Sequence, residues 1–224
     1  MVVKTIQVAQ RVLAVNGQIA EQNRAEFDAA GVLAVNLMAS PGAGKTSLIE
    51  RTIRQLSGEL RIGMINSDTS PAAMDAARAE RAGATSLHLD TAGRCHLDAG
   101  MVRDAVHELP LAGIDLLFIE NIGNLVCPAA WQLGSHLNVL IASTPEGDDK
   151  PYKYPRMYSG VDAVVVNKMD LLPYLDFDLQ KFRCGVESLN DGLLTFPLSC
   201  RSGAGIEQWC TWLASIAVRR VAMA

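Results

Sequence analysis

A lysine and a hydroxyl residue close a glycine-containing loop near the start of the chain. The loop spans residues 39–46 and reads Ala-Ser-Pro-Gly-Ala-Gly-Lys-Thr, between an apolar run at 32–38 and a helical pattern. In such a loop backbone N–H groups surround phosphate oxygens, the lysine reaches the terminal phosphates and the hydroxyl holds Mg²⁺. We therefore predict that Lys45 is catalytic, that Thr46 binds Mg²⁺, and that phosphates contact Pro41, Gly42, Ala43, Gly44, Lys45, Thr46 and Ser47. The alternative is a plain strand-to-helix turn, and Ala39 departs from the pattern, which has glycine at its first position.

A second motif follows another apolar run, residues 163–166, and reads Asn167-Lys-Met-Asp170. A carboxylate at Asp170 accepts hydrogen bonds from the N1–H and 2-amino groups of guanine, which adenine cannot donate, so it discriminates strongly. We predict that Asn167, Lys168 and Asp170 bind the guanine base. The loop Ser199-Cys200-Arg201, after the last predicted strand, resembles the guanine-contacting Ser-Ala-Lys loop of guanine nucleotide-binding proteins, with Cys200 and Arg201 in place of alanine and lysine. This resemblance implies that the loop contacts the same base.

Two carboxylates follow predicted strands and are candidate catalytic and magnesium-binding groups. Glu120 ends the apolar run 114–119 and precedes Asn-Ile-Gly, and Asp68 follows the run 61–66. Oxygen ligands suit Mg²⁺, and we expect both carboxylates to hold the ion together with Thr46, directly or through water. The alternative for Asp68 is to cap the helix that follows it.

Cysteine and histidine form a third cluster of chemically active residues. Cys95 and His96 are adjacent, and Cys127 lies seven residues after Glu120. Thiolate and imidazole are suitable ligands for nickel or zinc. Spacing alone is weak evidence, because Cys127 before proline is typical of a core residue and His96 or Asp98 could cap the next helix.

These motifs require a sheet that brings strand ends together. The pattern predicts strands at 32–38, 61–66, 85–89, 114–119, 137–142, 163–166 and 193–198, and helices at 46–56, 72–82, 98–108 and 206–218. Strands alternating with helices indicate an α/β fold with a mostly parallel central sheet and helices on both faces. Ligands bind at the carboxyl ends of such strands. Residues 3–29 predict one or two amphipathic helices with a break at Asn16-Gly17, so we expect an N-terminal helical segment, 1–30, that packs on a nucleotide-binding domain, 31–224.

The composition of the chain excludes several classes of function. The chain has 224 residues and a net charge of −4, with no basic excess for nucleic-acid binding. No apolar run is long enough to span a membrane, so we expect a cytoplasmic protein. Five cysteines, an odd number, argue against a disulfide framework. Three of them are predicted packing residues, and the remaining histidines and the tryptophans are read as ordinary core or surface residues: Cys184, Cys200, Cys210, His88, His107, His136, Trp131, Trp209 and Trp212.

Together these segments resemble the HypB family, GTPases that deliver nickel during maturation of nickel–iron hydrogenases. The resemblance rests on the phosphate loop and on segments 91–99, 118–128, 146–150 and 167–174. It implies a P-loop fold of the SIMIBI (signal-recognition/MinD) type, slow GTP hydrolysis to GDP with Mg²⁺, and a homodimer promoted by GTP. It also implies a Ni²⁺ site, to which Zn²⁺ can bind, at Cys95, His96 and Cys127. The implied partners are a nickel-carrier protein and a hydrogenase large-subunit precursor.

The resemblance adds Lys153 to the candidate nucleotide-binding residues, and this chain departs from the family pattern elsewhere. Lys153 is expected to reach a nucleotide across the dimer, unless it is a solvated surface lysine. Residues 1–30 contain no Cys or His, so no N-terminal nickel site is expected, and Asp75 is seven residues from Asp68 where relatives have six. The competing functions are a urease-type nickel GTPase, a metal-binding nucleotide switch with little turnover, and a small-molecule kinase.

Overall fold

The structure, a computed structural model, describes residues 8–68 and 73–221. Its strands are β1 (Leu33–Ala39), β2 (Ile62–Asp68), β3 (Thr85–Asp90), β4 (Leu116–Glu120), β5 (Leu137–Ser143), β6 (Ala163–Asn167) and β7 (Leu194–Pro197). Its helices are α1 (Val8–Ala29), α2 (Lys45–Leu56), α3 (Met74–Ala82), α4 (Ala99–His107), α5 (Lys150–Lys153), α6 (Pro155–Ser159), α7 (Leu179–Glu187) and α8 (Ile206–Val221). Short 3-10 turns cover Leu111–Gly113, Cys127–Ala130, Thr144–Glu146 and Met169–Tyr174.

The seven strands form one sheet in the order β3-β2-β4-β1-β5-β6-β7, and every neighbouring pair is parallel. The predicted α/β fold is confirmed. Strand β1 lies at the centre, between β4 and β5, and is buried along its whole length. Its phosphate loop therefore stands beside the ends of both neighbours, which places the predicted functional residues on one edge of the sheet.

Helices cover both faces of the sheet. On one face, α2 and α8 pack over the alternate β1 residues Leu33, Val35 and Leu37. On the other face, α1 and α4 cover Ala34, while α6 and α7 cover Met38. Side chains of a strand alternate between faces, so a nearly continuous apolar run is what a doubly covered parallel strand requires.

The helices differ from the prediction at several points. Helix α1 continues through Asn16-Gly17 without a break, because the Asn16 side chain hydrogen-bonds to two neighbouring segments and tertiary packing overrides a weak local signal. Helix α3 starts at Met74, two residues later than predicted, and its N-cap residue is Ala73. Helix α7 was not predicted, although Asp178 caps its N-terminus by accepting from the N–H groups of Gln180 and Lys181.

The remaining helix predictions agree to within one to three residues. Asp98 is the N-cap of α4 and accepts from the N–H of Met101, as one of the alternatives for this segment has it. Residues 3–7 and Pro71 lie outside the described part of the chain, and so does the side chain of Asp68. Among the described residues, no helix combines the length and apolar character that a membrane span requires.

Candidate nucleotide and metal site

The phosphate loop contains glycines with positive φ angles, at Gly42 and Gly44. Gly44 has φ +106°, and a Cβ there would lie 2.3 Å from the side-chain nitrogen of Asn167. Glycine is thus required both by conformation and by the close approach of Asn167, in the segment predicted to bind the base. Ala39 departs from the sequence pattern without strain, because it is the last, fully buried residue of β1.

A cleft of about 560 Å³ opens over this loop. Its walls come from the phosphate loop, the end of β2, helix α3 and the segment after β4: Pro41, Gly42, Gly44, Lys45, Thr46, Ser47, Asn66, Ser67, Asp75, Arg78, Glu120, Asn121, Ile122 and Gly123. The volume lies within the range of small-ligand sites. Phosphate-binding and magnesium-binding candidates that are far apart in sequence therefore share one cleft.

Glu120 lines this cleft and is only 3% exposed. Its carboxylate accepts hydrogen bonds from the Thr46 hydroxyl at 2.7 Å and the Asn66 amide at 3.1 Å. Burial raises the pKa of Glu120, while its hydrogen bond from Thr46 and the charge of Lys45 oppose the rise. Thr46 and Glu120 thus present two hard oxygen atoms side by side, the donor chemistry that Mg²⁺ prefers, and a bound cation would favour the ionised carboxylate.

Two residues of α3 extend the cleft beyond the sequence prediction. Asp75 and Arg78 share a face of the helix because they are three residues apart, and both line the cleft. Arg78 forms ion pairs with Glu50 at 2.7 Å and with Asp75 at 3.2 Å. The three-residue spacing of Asp75 and Arg78 predicts that they share a helix face. Nothing in the sequence indicated that this face of α3 lines the cleft.

The predicted base-binding segments meet beside the phosphate loop. Asn167 donates to the carbonyl of Ala43 at 2.9 Å and accepts from the N–H of Cys200 at 3.1 Å. Asp170 accepts from the Ser199 hydroxyl at 2.5 Å. Lys168 adopts φ +62°, which turns the chain sharply between them. One unpredicted residue, Arg51 of α2, holds the carbonyls of Cys200 and Arg201 at 2.9 and 3.1 Å.

Lys153 stands apart from these residues. It does not line the phosphate cleft, and it pairs with Asp149 at the surface, where its side chain is 62% exposed.

The three cysteines outside the candidate metal cluster differ in burial. Cys200 and Cys210 are buried as predicted, whereas Cys184 is exposed, so its prediction as a packing residue is wrong.

Cys95, His96 and Cys127 come together, with their ligand atoms within 4.8 Å of one another. The two sulfur atoms are 3.1 Å apart, and the His96 Nδ1 atom is 3.5 Å from the Cys95 sulfur. Hydrogen bonding to Cys127 raises the pKa of the Cys95 thiol, and burial lowers the pKa of His96, so its imidazole is neutral and can donate a lone pair. Two sulfurs and one imidazole nitrogen fit a soft or borderline cation such as Ni²⁺ or Zn²⁺.

An aromatic residue completes this cluster. The ring of Trp131 stacks on the His96 ring with centroids 4.4 Å apart and an interplanar angle of 26°. Trp131 was predicted as an ordinary core or docking residue, and its sequence position four residues after Cys127 gave no signal of the stack.

Hydrogen bonds of Asn121 and Asn124 connect the phosphate cleft to the segments that carry the three candidate metal ligands. Asn121, which lines the cleft, accepts from the N–H of Leu97 at 3.3 Å, one residue after His96. Asn124 donates to the carbonyl of Cys95 at 3.3 Å and accepts from the N–H of Cys127 at 3.3 Å. The segment after β4 is therefore hydrogen-bonded to the backbone of two candidate metal ligands, Cys95 and Cys127.

Comparison with known proteins gives the chain its family. Residues 33–196 match the family model described as CobW/HypB/UreG, nucleotide-binding domain. The hydrogenase maturation factor HypB of Rhizobium leguminosarum bv. viciae is 44% identical over 217 residues, covering 97% of this chain and 72% of the relative.

Comparison with solved structures gives the same family. HypB from Helicobacter pylori, crystallised in complex with nickel, superposes with a TM-score of 0.86 at 30% identity, covering 92% of this chain and 96% of that one. The signal recognition particle receptor FtsY from Elizabethkingia anophelis shares the fold alone, with a TM-score of 0.51 at 16% identity over 84% of this chain and 69% of its own. The predicted SIMIBI type of P-loop fold is thereby confirmed, and the chain belongs to the HypB group of the CobW/HypB/UreG family of nucleotide-binding proteins.

Proposed function

We propose that this protein is a GTP-hydrolysing nickel metallochaperone that serves the maturation of nickel–iron hydrogenase. The observation that carries the proposal is the direct link from the phosphate cleft, through Asn121 and Asn124, to the Cys95, His96 and Cys127 cluster. Membership of the HypB group supports it, since the relatives are named as hydrogenase maturation factors. Residues 31–224 form the GTPase domain in this proposal, and 1–30 form a helical segment that packs on it.

The nucleotide is GTP, bound between two sets of residues. The backbone of residues 41–47 and the Lys45 ammonium hold the phosphates, and Asp170 recognises guanine beside Asn167 and Lys168. Residues 199–201 close the base site, and their bonds to Asn167 and Asp170 support this role. Thr46, Glu120 and Asp68 hold Mg²⁺, which neutralises phosphate charge during hydrolysis, and Lys45 stabilises charge on the terminal phosphate.

Nickel is the cargo, held by Cys95, His96 and Cys127. Zinc binds the same donors, because thiolate and imidazole do not discriminate strongly between the two ions. Three protein ligands leave the coordination sphere incomplete, so water or a second copy of the chain supplies the remainder. A homodimer promoted by GTP, with Lys153 reaching the partner's nucleotide, fits this requirement. The nickel-carrier protein and the hydrogenase large-subunit precursor are the proposed donor and acceptor of the metal.

Hydrolysis changes metal affinity through the segment that follows β4. While the terminal phosphate is present, Glu120 and Gly123 are held in the cleft, and Asn121 and Asn124 fix the backbone of the metal ligands. After hydrolysis this segment relaxes, as switch segments of other nucleotide-binding proteins do, and the metal is released or transferred.

The test measures nucleotide turnover and nickel affinity on the same preparations. We expect turnover of GTP with Mg²⁺ and little of ATP, and a Ni²⁺ affinity that differs at least fivefold between GTP-analogue and GDP states, by competition with a chromophoric chelator. Cys127→Ala should abolish Ni²⁺ binding and leave GTP affinity within about twofold, while Cys184→Ala, a change of the exposed cysteine on α7, should alter neither. Equal nickel affinity in the two nucleotide states, or equal use of ATP and GTP, would overturn the proposal.

A further inference from the structure

Helix α1 carries two buried asparagines, Asn16 and Asn23, whose side chains contact both segments that bear the candidate metal ligands. They are seven residues apart, two helical turns, and so lie on the same face of α1. Their exposures are 6% and 1%. A buried amide nitrogen is costly unless it donates hydrogen bonds, so the acceptors of these two groups indicate what holds them in place. The Asn23 side-chain oxygen has no partner among the described residues.

Asn16 bridges the two segments. Its side-chain oxygen accepts from the N–H of Ala99 at 2.8 Å, and its side-chain nitrogen donates to the carbonyl of Gln132 at 2.8 Å. Ala99 is the first residue of α4, where the N–H has no partner within the helix. It lies three residues after His96, and Gln132 lies five residues after Cys127.

Asn23 makes a second bridge between the same segments. Its side-chain nitrogen donates to the carbonyl of Ala99 at 2.9 Å and to the carbonyl of Leu133 at 3.0 Å. Both polar groups of the Ala99 backbone are therefore held by α1. Arg24 adds a bond to the carbonyl of Gly134 at 2.8 Å on the same loop.

We propose that Asn16 and Asn23 are positioning residues for the metal site, holding the His96-bearing and Cys127-bearing segments at the separation that brings three ligands onto one ion. Both segments have regular structure near these anchors, since Asp98 caps α4 and residues 127–130 form a 3-10 turn. A change in the separation of the two anchors therefore displaces Cys95 relative to Cys127. The N-terminal helix thus acts on metal binding without contributing a ligand.

This inference rests on the metal site of the proposed function. Outer groups that orient metal ligands typically contribute about 10- to 100-fold in affinity. We expect Asn16→Ala and Asn23→Ala each to weaken Ni²⁺ binding at least tenfold, by chelator competition with Ni²⁺ alone, and to reduce the thiolate-to-nickel charge-transfer absorption. GTP affinity should change less than twofold, because these side chains do not line the phosphate cleft.

The matched control is Asn190→Ala. Its amide also donates to two main-chain carbonyls, those of Tyr158 at 3.4 Å and Val161 at 2.9 Å, on the α6 and α7 side of the sheet. We expect this variant to lose stability and keep wild-type Ni²⁺ affinity and absorption. Equal loss of nickel binding in all three variants would mean that general destabilisation is responsible and would overturn the inference.

A second measurement does not depend on metal binding. A trivalent arsenical that needs two neighbouring thiols should bind the Cys184→Ser protein through Cys95 and Cys127, and bind Asn23→Ala in that background at least tenfold less tightly. Unchanged arsenical binding together with unchanged nickel affinity would overturn the positioning role. A wild-type protein that binds the arsenical but not Ni²⁺ would instead contradict the proposed cargo, so the two failures are distinguishable.

Discussion

The stack of Trp131 on His96 is a single contact with a candidate metal ligand. Stacked aromatic pairs contribute about 0.5–1.5 kcal/mol beyond the area they bury. The stack should limit rotation of the imidazole, whose Nδ1 atom lies 3.5 Å from the Cys95 sulfur. We expect Trp131→Ala to weaken Ni²⁺ binding roughly two- to tenfold, by chelator competition, and Trp131→Phe to retain most of the affinity. Equal affinities of the alanine variant and the wild type would show that the stack does not orient the ligand.

Glu120 shows how a functional group reduces stability. Burial raises its pKa, so the folded protein holds the proton more tightly than the unfolded chain. The free energy of unfolding therefore falls as pH rises from the unfolded pKa to the folded one.

Glu120→Gln should accordingly stabilise the nucleotide-free protein. The amide keeps a partner in both Thr46 and Asn66 and removes the buried charge. We expect the thermal midpoint to rise by about 2–4 °C for each kcal/mol gained, measured by calorimetry at pH 7. GTP turnover with Mg²⁺ should fall at least 100-fold. A lower midpoint than that of the wild type would show that the carboxylate is stabilising.

At the scale of elements, His136 joins helix α1 to the central strand. Its Nδ1 atom accepts from the N–H of Ala34 on β1 at 2.9 Å, so the proton is on Nε2, which donates to Asp28 at 2.9 Å. Arg220 of α8 pairs with the same carboxylate. Burial lowers the pKa of His136 from 6.5 to about 4, and protonation of Nδ1 would break the bond to β1.

This histidine predicts an acid-sensitive stability. Between pH 6.5 and about 4 the unfolded chain takes up a proton that the folded chain does not, so the free energy of unfolding falls as pH decreases through this window. The loss should reach about 2 kcal/mol at pH 5 relative to pH 7, from urea unfolding. His136→Gln, which offers an acceptor and a donor without a titrating group, should lack this component, and parallel curves for the two proteins would contradict the assignment.

Sequence patterns predicted the sheet well because β1, β4 and β6 are buried along their whole length and appear as nearly continuous apolar runs. The irregular connections were less predictable. Nothing local indicated that Asn16 would stabilise an unbroken α1, because its partners are 83 and 116 residues away in sequence. The same holds for the site. The residues with distinctive chemistry were identifiable, whereas Trp131, Arg78 and Arg51 act through contacts that only the fold creates.

For the whole molecule, the central question is whether the nucleotide and metal sites are coupled thermodynamically. If a GTP analogue changes Ni²⁺ affinity by some factor, Ni²⁺ must change the affinity for the analogue by the same factor. We expect this reciprocity in wild-type protein, with a factor of roughly 5 to 150, measured by chelator competition for nickel and by fluorescent-nucleotide titration for the analogue.

Substitution of Asn121 should remove this coupling. It follows Glu120, lines the phosphate cleft and is 1% exposed. Its oxygen holds the N–H of Leu97, and its nitrogen donates to Asn36 of β1 at 3.2 Å. In Asn121→Ala both sites keep their direct ligands but lose this connection, so both measured factors should fall together toward one. Asn121→Asp keeps the acceptor for Leu97 and should retain more of the coupling, while Asn190→Ala should retain all of it. If nickel and nucleotide still influence each other by the wild-type factor in Asn121→Ala, the two sites communicate by another route, such as the dimer interface.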